Sequence, residues 1–238
     1  MDSWFYFLIY NYSLISNFVF GNDKCISCNK ICFNTLCNSC YLNINNNLKY
    51  FKIDKSNFNH FSNLYFNEAY SVDVYSNILF LIKEYKFNNK IYLSILLSKM
   101  LEKLIDKYSL DFDLIINVPN HNFIKYTLYL CLNLSKIYKK PILNIVSISN
   151  NKIKQHFIEN KLDRIKNAKN KYYINEKVIK KTIKTLENIS LKLNKSKLNI
   201  LIVDDIIKTG ATINEISKLI RNTFKLSNNI IVISLAKA

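Results

Sequence analysis

Leu198-Asn-Ile-Leu-Ile-Val-Asp-Asp-Ile-Ile-Lys-Thr-Gly-Ala-Thr-Ile-Asn-Glu-Ile-Ser-Lys-Leu-Ile220 is the stretch whose reading decides the fold. The run Ile200 to Val203 is short and β-branched, which suits a strand buried on both faces of a parallel sheet rather than an amphipathic helix. Asp204 and Asp205 follow it, at the strand end where open α/β sheets bind their ligands. Adjacent carboxylates at such a place accept hydrogen bonds from vicinal sugar hydroxyls. Thr209-Gly210-Ala211-Thr212 then precedes an apolar pattern of helical period at Ile213, Ile216, Leu219 and Ile220. A helix start with free backbone N–H groups, a favourable dipole and two hydroxyls attracts phosphate, and Gly210 lets the backbone approach closely. Gly210 is one of two glycines in the chain, the other being Gly21. The same residues also read as a buried strand whose acids cap a turn and a helix.

Strand, acid pair and Thr-Gly-Ala-Thr loop resemble the phosphoribosyl-pyrophosphate motif of type I phosphoribosyltransferases. The resemblance implies that Asp204 and Asp205 contact the ribose diol and that Thr209, Gly210, Ala211 and Thr212 wrap the 5-phosphate. Lys208 departs from the pattern, standing where that family carries a small or hydroxylated residue, and either adds a cation to the phosphate or crowds the loop.

Cys25 and Cys28 form one Cys-x-x-Cys knuckle and Cys37 and Cys40 another, with eight residues between them. Four thiolates at this spacing fit one tetrahedral zinc ion; two disulfides are the competing explanation. No secretory signal is evident, and a reducing cytosol disfavours disulfides. Segment 21–45 has few large apolar residues, so metal coordination is expected to supply its folding free energy, on the order of 10 kcal/mol or more. Cys32 and Cys131 read as bystander thiols.

A zinc knuckle followed by a phosphoribosyltransferase domain resembles the layout of the ComF family over nearly the whole chain. That resemblance divides the chain into an apolar N-terminal helix with a small four-cysteine zinc module (1–45) and a phosphoribosyltransferase-like domain (46–238). It implies a parallel sheet flanked by helices, binding of phosphoribosyl pyrophosphate with Mg²⁺, and a place for Lys86 at the pyrophosphate side. Asp113 to Pro119 resembles the strand that opens the family's second loop. There the pattern breaks, because His121-Asn122-Phe123 runs straight into the next helix without the family's arginines, whose bidentate geometry suits a departing pyrophosphate. Lys154-Gln155, Arg164 and Asn167 resemble the family's flexible hood. ComF-like proteins are also tied to natural competence, which implies an alternative role as a non-catalytic accessory protein of DNA uptake that binds single-stranded DNA or a partner.

At 238 residues, 49% of them hydrophobic, the chain has enough to bury a sizeable core and is no disordered tail. Its net charge of +17 comes from 34 basic and 17 acidic residues. Such a balance ordinarily points to a polyanion, yet abundant Lys, Asn, Ile, Tyr and Phe with scarce Gly and Pro also fit an AT-rich genome. The lysines of 152–197 lie among Phe157, Tyr172 and Tyr173, as a single-strand binding surface requires, and equally as a solvated helical face would have them. Residues 4–20 are apolar but are broken by Asn11, Ser13, Ser16 and Asn17 short of the ~20 residues of a membrane span, and Asp2 stands where a signal peptide is basic. A helix packed on the body of a cytoplasmic protein is the expectation. Strands are expected near 113–118, 142–148, 199–204 and 230–235, and helices near 76–87, 91–107, 124–138, 177–193 and 212–224, with a loop rich in Asn and Lys before them. Their alternation implies a parallel sheet.

Overall fold

A computed structural model describes residues 24–32, 35–120, 125–149, 160–169, 171–174, 176–224 and 227–238. The apolar N-terminal segment, His121 to Ile124 and Lys154-Gln155 lie outside the described residues.

The run read as a buried strand is the centre of the sheet. Strand β6 (Leu198–Ile207) lies between β7 (Ser227–Lys237) and β3 (Leu114–Asn117), parallel to both. Beyond β7 comes β2 (Glu68–Val74), also parallel, and the two-residue β1 (Phe51–Lys52) pairs antiparallel at the edge, giving the order β1-β2-β7-β6-β3. The edge is charged, with Lys52 bound to Glu68 across it. The sheet is therefore mostly parallel.

Helices cover both faces, as continuous apolar strands demand. On one face, Leu201, Val203, Ile231, Ile233 and Ile115 pack on α2 (Tyr75–Lys86), α3 (Leu93–Lys107) and α4 (Tyr126–Tyr138). On the other, Ile200, Ile202, Ile230, Val232, Leu114 and Ile116 pack on α6 (Glu176–Leu193) and α7 (Ala211–Thr223). The period-2 alternation of one strand thus feeds two cores.

Two expectations need correction. Segment 142–148 is not a strand of this sheet: Ile142 makes one bridge to Ile115, and β4 (Val146–Ile148) then leaves to pair antiparallel with β5 (Tyr172–Ile174) as a separate ribbon. Helix α5 (Lys161–Ala168) connects the two ribbon strands. The stretch before residue 75 is not all loop, since β2 runs through it; Ser71 and Asp73 are buried there, satisfied by Ser234, the backbone of Asp73 and Val74, and Asn77. The cysteine segment builds no core of its own but adds to that of the body. Cys25 and Leu36 join the core of the first face, and α1 (Asn38–Asn47) follows directly from the second knuckle. Lys103 Nζ on α3 reaches Asn45 Oδ1 at 2.6 Å, and Lys107 Nζ reaches the Tyr50 carbonyl at 2.7 Å.

Candidate functional site

The chain after β3 leads to α4 on one face, whereas the chain after β6 leads to α7 on the other. Connections that part in opposite directions leave a crevice at the carboxyl ends of adjacent parallel strands, the usual ligand place in such sheets. Asp204 and Asp205 stand there, one and two positions beyond the point where β3 stops pairing at Asn117 and Val203.

Their arrangement differs from the sequence expectation. The strand does not end before the acids; Ile206 and Ile207 continue it, paired with Ala236 and Lys237 of β7. Inside a pleated strand neighbouring side chains turn to opposite faces. Asp204 lines the cavity under the Thr-Gly-Ala-Thr loop, and Asp205 does not. Asp205 instead forms an ion pair with Lys86 at 2.6 Å. Lys86 is placed by the end of α2, whose carbonyl there accepts the Tyr126 hydroxyl at 2.6 Å, while Tyr85 donates to the Tyr126 carbonyl at 2.7 Å. Burial draws the Lys86 ammonium downward, but the charge and hydrogen bond of Asp205, with Asp204 behind it, hold its pKa above the ordinary value. Burial, then the charge of Asp205, pushes the Asp204 carboxyl up to about 8, against a hydrogen bond of 2.8 Å from the Asp205 N–H.

The loop itself has the form of an anion cradle. Gly210 lies at φ +80°, in the left-handed region, and precedes α7 directly. A Cβ at Gly210 would stand 2.6 Å from a ring carbon of Phe58, so both conformation and space call for glycine. Ala211 N–H bonds to Thr209 Oγ1 at 3.3 Å, and Asn214 N–H closes the first helical turn on the Gly210 carbonyl at 2.9 Å. Among the described residues no hydrogen bond uses the N–H of Gly210, Thr212 or Ile213. They surround, with Asp204, Lys208 and Thr209, a small open cavity of about 80 Å³. Such free amides at a helix start are what binds phosphate elsewhere.

Other residues meet the loop without having announced themselves. Tyr172 on β5 shares a 3.2 Å hydrogen bond with Thr212 Oγ1. It is buried, by the inward turn of β5, and is not open for stacking on a nucleic acid; Tyr173 next to it is exposed. Burial first, then the fields of Asp204 and Asp205, raises the Tyr172 phenol. Lys237 Nζ reaches the Lys208 carbonyl at 3.1 Å, and His60 Nε2 reaches the Thr209 carbonyl at 3.0 Å. No period or spacing in the sequence marks these positions, because each is brought in from a distant element.

The cysteines form a second centre. The sulfurs of Cys25, Cys28, Cys37 and Cys40 all lie within 4.8 Å of one another, and none is in a disulfide. The Cys28 and Cys37 sulfurs are 3.7 Å apart, close to the edge of about 3.8 Å that a tetrahedron with Zn–S bonds of about 2.3 Å requires. Burial raises the Cys25 thiol, yet the backbone amides of Cys37, Cys28 and Ser27 hold it down to about 6. A bond to Ser27 lowers Cys40, but the neighbouring Cys37 and Cys28 thiols outweigh it and push Cys40 up to about 12. Four such thiols cannot all ionise together unless a cation joins them. The cluster is one that can hold zinc. Cys32 stands outside it, as does Cys131 in α4, whose thiol burial raises.

No protein-family model matches the chain, and no curated protein matches it. Among the described residues no helix is long and apolar enough to cross a membrane.

Proposed function

We propose that this is a ComF-like protein with a phosphoribosyltransferase domain, binding phosphoribosyl pyrophosphate with Mg²⁺ in the crevice between β6 and α7. The observation that carries the proposal is the set of unused N–H groups on Gly210, Thr212 and Ile213, gathered with the Thr209 and Thr212 hydroxyls around a cavity whose floor includes Asp204. The loop would take the 5-phosphate and Asp204 a ribose hydroxyl. Mg²⁺, a hard ion preferring oxygen ligands, fits the Asp204 carboxylate together with the ligand's own oxygens and would supply charge neutralisation at the pyrophosphate. Lys86, held by Asp205, is the nearest described cation on the other side of the acid pair.

The reaction such a pocket serves is transfer of phosphoribosyl to an amine or base nitrogen, with pyrophosphate leaving. The chain has two arginines, Arg164 and Arg221. Arg221 is committed to the Tyr65 carbonyl and Asn67 Oδ1, so it does not serve the leaving group. Binding is accordingly supported by more of the geometry than turnover.

A second reading, the accessory protein of DNA uptake, is favoured by one observation. The solvent side of α6 exposes Lys180, Lys181, Lys184 and Lys192, and Tyr173 is exposed on β5. This is a surface a single strand could follow.

Calorimetric titration of phosphoribosyl pyrophosphate with MgCl₂ into the wild type and Asp204→Asn tests the first reading. The single substitution is the right one, because replacing Asp205 also strips Lys86 of its partner. At pH 9, where Asp204 is ionised, micromolar binding that weakens ~10-fold or more in Asp204→Asn is expected, for loss of a charged hydrogen-bond acceptor. A folded wild type that binds nothing would remove this reading and bring the accessory role forward.

A further inference from the structure

The backbone of the anion loop is held from behind by residues 54–67. Asp54 starts this segment by accepting the Ser56 N–H at 2.7 Å, which opens the 3-10 turn Lys55–Phe58. The turn delivers Phe58, fully buried, edge-on to Phe66 with ring centres 5.1 Å apart. The Phe58 ring occupies the space that a side chain at Gly210 would need. Two residues on, His60 Nε2 lies 3.0 Å from the Thr209 carbonyl. A carbonyl only accepts, so Nε2 is the nitrogen that carries the proton. In a trans peptide C=O and N–H point in opposite directions, and a Thr209 carbonyl turned to His60 therefore aims the Gly210 N–H away from the segment behind it.

The far end of the segment is fastened to α7, the helix that the loop starts. Tyr65 N–H donates to Asn214 Oδ1 at 2.9 Å, and Asn214 Nδ2 donates to the Asn63 carbonyl at 3.1 Å. Arg221 Nε donates to the Tyr65 carbonyl at 2.5 Å, and its Nη2 to Asn67 Oδ1 at 2.7 Å. Loop, helix and segment thus form a closed circuit in which the peptide plane between Thr209 and Gly210 has one orientation.

We infer that residues 54–67 are a brace that pre-sets the anion loop, with Phe58 and His60 as positioning residues that act through Gly210 and Thr209 and touch no ligand. The inference rests on the phosphate reading of that loop for its function, but the brace itself can be read without a ligand. Pre-setting matters because a loop already ordered in its binding form loses less freedom when the anion arrives.

The scarcity of glycine makes the test direct. Labelling the full chain with ¹⁵N-glycine gives two amide resonances, from Gly21 and Gly210, and Gly21→Ala tells them apart. The Gly210 resonance should shift or broaden in His60→Ala and in Phe58→Leu, and return toward its wild-type position in His60→Gln, whose amide keeps a donor at the same reach. Ribose 5-phosphate should shift the wild-type resonance and bind about 5-fold more weakly to His60→Ala, the loss of one ordering hydrogen bond, with affinity regained in His60→Gln. A Gly210 resonance indifferent to His60→Ala and Phe58→Leu overturns the brace, whether or not the ligand binds. A resonance that follows His60 but ignores ribose 5-phosphate keeps the brace and removes the phosphate reading instead. Should His60→Ala fail to fold, the contrast between His60→Gln and Phe58→Leu decides in its place.

Discussion

Asp204 titrates near 3.8 in an unfolded chain and about 8 in the folded one, from burial first and the charge of Asp205 second. Between those two values the folded protein keeps a proton that the unfolded chain has released. Stability therefore falls as pH rises through the window from about 4 to 8, the opposite of an ordinary salt-bridged carboxylate. Asn at this position keeps an oxygen for the Asp205 N–H and never ionises. Asp204→Asn is expected to melt within about 1 °C of the wild type at pH 4 and roughly 5 °C above it at pH 9. Equal melting temperatures at both pH values would show that Asp204 is ionised in the folded protein at little cost. A buried carboxyl displaced this far from its ordinary range, lining a cavity, is a candidate for a functional group.

At the scale of elements, one ion pair that is mostly out of solvent ties the end of α2 to β6, Lys86 with Asp205 at 2.6 Å. Removing one partner of such a pair leaves a charge with no compensation, at a cost of about 3 kcal/mol, whereas removing both costs much less. Lys86→Met should lower the urea midpoint accordingly, and Lys86→Met/Asp205→Asn should recover most of the loss; additive losses would mean the two charges are solvated separately. The pair also shows where the sequence stopped being legible. The apolar run of β6 and the 3.6-residue pattern of α7 were readable because each depends on its own residues alone, and so was the Gly210 turn between them. The direction of the two acids was not, because it follows from Ile206 and Ile207 continuing the strand against Ala236 and Lys237, a pairing set by another element. Strand β2 was hidden because its inward positions include Ser71 and Asp73, which are polar by composition and buried only because Ser234 and Asn77 satisfy them. The three-residue strands β4 and β5 are too short to carry a period at all.

For the molecule as a whole, the cysteine cluster is part of the packing and not an appendage. Cys25 and Leu36 are buried in the same core as α2, α3 and α4, and the lysines of α3 tie α1 and the chain after it to the body. Four sulfurs within 4.8 Å of one another can share one cation. If zinc supplies it, the metal's contribution reaches the shared core through Cys25, and its removal should be felt beyond the knuckles. Protein purified without chelator is expected to hold close to one zinc per chain, and Cys40→Ser, or excess chelator, to lower the main melting transition by roughly 5 °C or more. The location of that effect distinguishes two architectures. A knuckle that melts by itself while the main transition stays put would be an independent module. A single transition that moves with the metal would mean that zinc, the core of the first face and the helix end carrying Lys86 are one cooperative unit. In that second case loss of zinc would also loosen Lys86 from Asp205, and ligand affinity in the crevice should fall together with the metal content.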